Sequence, residues 1–275
     1  MRNLNSNYFR IAKFYLILII KIFAYSIPIQ YSIRRQLFGR NGRMDNFEYC
    51  KKIFKKHVIV NNKRNKMSSI LEIGPGDSCY TIVFALKNKF KHITLIDKDT
   101  NEILRTLKKL EKMNFHIEKA LDKFNPIKFK VKKGKKEIEV LILNNDFENK
   151  LDPIFNYYDL IFSNAVLQHM DKNQIKNLLD YCKRCSHKKS VHSHQIRFTD
   201  HISGKKQLFD HYHCPKLLWN SFLLKSFPFW TNRIYLDEYI KIFKSYGLID
   251  INYENIKNKK VYENYHFILR KCETK

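Results

Sequence analysis

With 275 residues, 44% hydrophobic and 14% aromatic, the chain can bury a sizeable core and is too apolar for the disordered class. A balance of 52 Lys and Arg against 26 Asp and Glu gives +26, which raises nucleic acid or an anionic membrane as partner. The lysines are scattered among Asn and Ile with no compact Arg-rich run, which disfavours nucleic acid, and six dispersed cysteines fit a reducing, cytoplasmic setting rather than a disulfide scaffold.

At the amino terminus FYLILII (14–20) is apolar, but Lys13 and Lys21 bracket it too closely for a membrane span. FAYSIPI is a poor signal-peptide cleavage site. On a helical wheel Arg10, Lys13 and Lys21 fall within about 80° of one another, and the remaining face is almost wholly apolar. Such a helix either docks on the body of the protein or lies on a membrane through residues 8–29. Residues 1–66 therefore read as a helical, basic segment ahead of a domain spanning 67–275. Arg34, Arg35, Arg40 and Arg43 in it would bind an anionic group or form a solvated basic face.

From residue 70 strands and helices alternate. ILEI (70–73) reads as a buried strand. A helix follows, with Asp77 or Ser78 as N-cap and YTIVFALKNKF as its body. HITLID (92–97) is a second strand, and TNEILRTLKKLEKM (100–113) is helical. IEVLIL (138–143) and YYDLIF (157–162) are strands. Asp171 with Gln174 forms a capping box that opens a helix through Cys185. SVHSHQI (190–196) is the fifth strand. LDEYIKIFKSYG (236–247) is a helix leading into a hairpin of LIDINYENI (248–256) and YENYHFILRKC (262–272). The pattern predicts a Rossmann-like α/β fold: a seven-stranded, mostly parallel sheet with an antiparallel last strand, and helices on both faces. Residues 197–233 are a lid insertion after the fifth strand. Cys182 and Cys185 form a lone CxxC late in a helix, where i and i+3 simply share a face, so no metal site is expected.

Ligands of open α/β sheets bind beyond the carboxyl ends of the strands. Gly74 and Gly76, two of only seven glycines, stand at that end of the first strand. Glycine allows positive φ and close approach to the backbone, so a ligand held there is the expectation. Asp97 ends the second strand, where an acid can bind ribose hydroxyls. Cys79 in place of a third glycine counts against NAD or FAD.

Glu72-Ile-Gly74-Pro-Gly76-Asp77-Ser78 resembles the first motif of class I S-adenosylmethionine (SAM) dependent methyltransferases. Asp97 matches their second-strand acid, and DLIFSNAVLQHM (159–170) is similar to their fourth-strand motif. More narrowly, FGRNGRMD (38–45), SHQI with Asp200-His201, and TNRIYLDEY (231–239) resemble methyltransferases of the surface-polysaccharide and sugar type. The resemblance covers residues 66–272 and implies SAM as cofactor. It implies that Glu72, Gly74 and Gly76, with Asp77 in the same loop, line the methionine end. Asp97 would accept from both ribose hydroxyls, Asp146 and Phe147 would meet the adenine, and Ser163 and Asn164 would stand beside the sulfonium. The third motif glycine is Ser78, which can still cap the following helix.

The acceptor is then a small molecule or sugar. A hydroxyl acceptor needs a base, commonly histidine near neutral pH. Six of the eleven histidines lie between residues 187 and 213. The candidates are His194 or His201, helped by Asp200, with His169 third. Trp219, Trp230, Phe222, Phe227 and Phe229 in the lid would stack on an acceptor or form a packed apolar roof. Two other functions stay open: an RNA methyltransferase, on the net charge, although Ser163-Asn-Ala-Val is not the motif of exocyclic-amine methylation, and a non-catalytic protein of this fold acting at a membrane.

Overall fold

Leu71 and Ile73 alternate with Ile70 and Glu72 along the first apolar run, so its side chains feed two different cores, one on each face of a sheet. A computed structural model of the chain describes residues 2–27, 46–59, 61, 67–76, 78–119, 127–153, 157–202, 210–248, 252–255 and 264–270. Asp77 and the arginines at 34, 35, 40 and 43 lie outside the described residues.

The strands are β1 (Ser69–Ile73), β2 (His92–Asp97), β3 (His116–Lys119), β4 (Ile127–Lys133), β5 (Lys136–Asn144), β6 (Tyr158–Asn164), β7 (Ser186–Arg197), β8 (Asn252–Asn255) and β9 (Asn264–Arg270). They form one sheet in the order β3-β4-β5-β2-β1-β6-β7-β9-β8. The five central strands are parallel, and β9 runs antiparallel to both β7 and β8. All seven expected strands are present. The antiparallel pair β3–β4 extends the sheet further, joined to β5 by a tight turn in which Gly134 takes φ +61.

Helices α2 (Phe47–Phe54), α3 (Tyr80–Lys87) and α4 (Asn101–Lys112) cover one face, where Phe54 and Phe84 pack at 5.6 Å between ring centroids. The N-cap of α3 is Cys79, which makes no side-chain cap bond, rather than Asp77 or Ser78; the serine of the motif instead accepts the Tyr80 N–H at 3.1 Å. The opposite face carries α5 (Lys172–Arg184) and α8 (Leu236–Ser245). The capping box of α5 forms in both directions: Asp171 accepts the Asn173 and Gln174 N–H groups, and Gln174 Oε1 accepts the Asp171 N–H. Cys182 and Cys185 are buried in the core beneath α5, and burial pushes both thiols up.

A third core joins α1 (Arg2–Ser26) to the lid, where the short helices α6 (Lys216–Trp219) and α7 (Phe222–Lys225) lie. Phe14 and Leu18 pack there with Trp219, Leu224, Phe227, Phe229 and Trp230. The two indoles lock the lid reciprocally: Trp219 Nε1 donates to the Thr231 carbonyl (2.7 Å) and Trp230 Nε1 to the Trp219 carbonyl (2.8 Å). Trp219, Phe227, Phe229 and Trp230 of the lid thus pack with α1, whereas Phe222 is 91% exposed.

Candidate active site

The chain runs outward from β1 through β2 to β5, then returns to β6 on β1's other side. A crevice at the carboxyl ends of β1 and β6 follows from that reversal. Four residues in left-handed backbone ring it: Gly74 (φ +67), Gly76 (φ +68), Phe147 (φ +63) and Ala165 (φ +58). Non-glycine residues there carry strain, which concentrates at functional sites.

Gly74 answers to packing as well as to any ligand. Its N–H donates to the Ile96 carbonyl at 2.7 Å, and a Cβ added there would lie 2.3 Å from Val166 Cγ2. The Gly76 N–H donates to Asp97 Oδ2 at 3.0 Å, while Asp97 Oδ1 accepts the Asp99 N–H at 3.2 Å. The strand-end acid therefore braces the glycine loop, and each oxygen retains a lone pair for another donor. Burial raises the Asp97 pKa, opposed by those two N–H groups.

Glu72 is 2% exposed, and its Oε2 has no hydrogen-bond partner among the described residues. Burial pushes its pKa up to about 8, against a hydrogen bond to Thr81, and the charge of Asp97 adds to the rise. An orphaned buried carboxyl is costly unless something cationic completes it.

At the end of β5, Asp146 is exposed and accepts the Glu148 N–H at 3.0 Å. The Phe147 ring packs edge-on against Tyr181 with 5.9 Å between centroids and is only 2% exposed, so its faces belong to the core rather than to an adenine.

Ser163 and Asn164 point to opposite faces of the sheet, as successive strand residues must. Ser163 Oγ lies 2.8 Å from His194 Nδ1, and the His194 ring stacks on Phe243 of α8. Both residues are fully buried. His194 thus sits within the core under α8, away from the open crevice, which corrects the expectation that it leads as base. Asn164 Oδ1 is 3.3 Å from His57 Nε2, and His57 Nδ1 is 2.9 Å from Ser193 Oγ. His57 lies on the π-helical turn after α2 and was not singled out in the sequence, where nothing local distinguishes it.

Asp200 accepts the Ile202 N–H (2.8 Å) and the Asp210 N–H (3.0 Å), bracing the lid, and its Oδ2 lies 3.9 Å from His211 Nδ1. His169 and His201 come together, with ring centroids 5.0 Å apart. His169 Nδ1 lies 2.6 Å from the Trp230 carbonyl. A carbonyl only accepts, so Nδ1 carries the proton and Nε2 presents a lone pair. Burial lowers the His169 pKa to about 4, and the charges of Lys98 and Arg197 add to the fall. His201 Nε2 is buried without a hydrogen-bond partner among the described residues, and burial followed by the charge of His169 depresses it too.

Asn232 holds the His169 turn to the lid. Its N–H donates to the Gln168 carbonyl (2.6 Å), and its side-chain amide donates to the Leu167 and Met170 carbonyls (2.8 Å each). Beside this clamp opens a cleft of about 680 Å³. Trp230, Tyr212, Tyr235, Arg233, Lys216 and Glu238 are among its lining residues.

No protein-family model and no curated protein matches the chain. Among solved structures it is similar to a SAM-dependent methyltransferase from Clostridium acetobutylicum, with 14% identity, 80% of this chain and 91% of that one covered, and a TM-score of 0.51. It is also similar to phosphoethanolamine N-methyltransferase 2 of Haemonchus contortus in complex with SAM, with 13% identity, 90% of this chain and 61% of that one covered, and a TM-score of 0.53. Against the methyltransferase SibL it covers 81% of its own length and 55% of the other, at 11% identity and a TM-score of 0.47. The chain thus spans little more than half the length of some of the proteins it resembles. At these identities the likeness establishes architecture: the chain has the Rossmann-like fold of the SAM-dependent methyltransferases.

Proposed function

We propose that this chain transfers a methyl group from SAM to a hydroxyl of a small-molecule or glycan acceptor. The observation that carries the reading is the buried carboxyl of Glu72 at the end of β1, one oxygen of which lacks a partner among the described residues; the base we assign is His169, after β6, held in its proton-accepting tautomer. When bound, SAM supplies an already activated methyl on its sulfonium. Glu72 takes the ammonium of the methionine end, next to the loop of Gly74 and Gly76. Asp97 accepts from the ribose hydroxyls while continuing to hold Gly76, and Asp146, which is exposed, takes the adenine amino group. His169 Nε2 takes the acceptor's hydroxyl proton. Tyr212 and Tyr235, with only the edge of the buried Trp230, give the neighbouring cleft apolar surface among polar groups, which suits a sugar. The test is incubation with methyl-labelled SAM and a panel of sugars and small hydroxylated compounds. Label recovered in a base-stable O-methyl product supports the reading, and label only in amines or in RNA overturns the hydroxyl assignment.

Glu72 gives a pH signature. Its carboxyl is largely protonated at pH 7, with a pKa near 8 against an ordinary 4.5. An ammonium partner requires the ionised form, so binding must expel a proton below pH 8. The affinity for S-adenosylhomocysteine is expected to rise between about pH 5 and pH 8, by up to roughly tenfold per unit, then level off. Glu72→Gln should remove the slope and cost about 1.5–3 kcal/mol of binding at pH 8. A wild-type affinity that is flat with pH would take Glu72 out of the site.

A further inference from the structure

α1 is apolar on two opposite sides, and only one of them is covered. The inner side is fixed to the lid through Phe14 and Leu18, through an Arg10–Asp210 ion pair at 3.1 Å, and through Lys21 Nζ donating to the His201 carbonyl at 2.8 Å. Tyr15 adds a hydrogen bond to the His213 carbonyl. At 100° per residue the far side carries Phe9, Leu16, Ile19, Ile20 and Phe23 within an arc of about 100°. These five side chains are 77%, 59%, 62%, 54% and 69% exposed. The strip is about 21 Å long at 1.5 Å rise per residue. Exposed Lys13 lies at its edge.

A contiguous apolar strip with an exposed lysine at its edge is a contact surface. Charge decides between its two natural occupants. Two copies of a chain carrying +26 repel when pressed face to face, whereas an anionic bilayer attracts the same surface, by about 1 kcal/mol for each Lys or Arg brought near it. No helix among the described residues is long and apolar enough to cross a membrane, so the strip lies in the interface plane, with the lid-facing side of α1 still packed.

We propose that the outer face of α1 seats this protein on an anionic lipid surface. Because α1 is fastened to the lid and to the His201 backbone, the seat holds the roof of the candidate active site at the bilayer. On the methyltransferase reading, which this consequence rests on, the acceptor is one presented at a membrane surface.

The test is flotation of the full chain with vesicles of phosphatidylcholine containing phosphatidylglycerol, and with phosphatidylcholine alone. The wild type is expected to float with the anionic vesicles and to remain below with the neutral ones. The variant Leu16→Gln/Ile19→Gln/Phe23→Gln leaves Phe14 and Leu18 in place. It should keep its thermal midpoint while losing about tenfold or more of the vesicle-bound fraction. Phe23→Gln alone, a milder change, should show a partial loss if the triple variant misfolds. Wild type that stays below with both vesicles, or outer-face variants that float as well as wild type, overturns the proposal. So does a wild-type dimer that the substitutions dissociate, since a second copy would then be the occupant. None of these readouts involves methyl transfer, so the seat and the enzymatic reading fail separately.

Discussion

Gly74→Ala is expected to destabilise the protein by roughly 2–5 kcal/mol. Two penalties add. A side chain at φ +67 costs about 1–2 kcal/mol, because Cβ meets the neighbouring carbonyl in left-handed backbone. The new Cβ would also stand 2.3 Å from a methyl of Val166, and forcing that contact costs about 1–3 kcal/mol more. The two are separable. Val166→Ala in the same chain removes the methyl but leaves the backbone strain, so the double variant should recover the second part only. Denaturant unfolding of the four members of this cycle measures the coupling. Additive effects would mean that Gly74 serves backbone geometry alone.

His169→Gln is expected to lower kcat by about 10²–10⁴, the usual worth of a positioned base, and to leave S-adenosylhomocysteine affinity intact. The reason lies in the Trp230 carbonyl, which fixes the proton on Nδ1 and leaves Nε2 open. Its pKa near 4 keeps the ring neutral throughout the physiological range. The acid limb of the kcat profile due to this residue should therefore fall near pH 4 rather than near 6.5. Steady-state rates on a methylated acceptor check both statements. Full activity in His169→Gln with loss in His201→Gln would transfer the role to His201.

Most of the parallel core was legible because β1, β2, β5 and β6 are short apolar runs bounded by turn or capping residues; β7, SHKKSVHSHQIR, is largely polar and was read from its place in the alternation. β3 and β4 were not. IKFKVKK, which becomes β4 between β3 and β5, puts lysine at nearly every second position, which suits a strand with one solvated face yet resembles the charged linkers around it. The glycine pair was legible as a signal, but one of its reasons was not, because Val166 meets Gly74 only after β6 has paired with β1. Pleat side was the weakest inference. That His194 ends near the carboxyl edge follows from sequence; that its ring turns under α8 depends on register with Ser163. His57 lies 107 residues from Asn164 and carries no local mark, so only tertiary packing reveals the pairing. The amino-terminal helix was read as docked or membrane-facing, and its docking on the lid uses only one of its two apolar sides.

The central claim is that the crevice between β1 and β6 binds SAM, and calorimetric titration of the folded protein with S-adenosylhomocysteine at pH 8 tests it most directly. The expected result is saturable one-to-one binding with a Kd of about 1–100 μM, or roughly −5.5 to −8 kcal/mol, weakened in Glu72→Gln. No binding up to millimolar concentration by a protein that melts cooperatively would contradict it, leaving a methyltransferase fold without its cofactor.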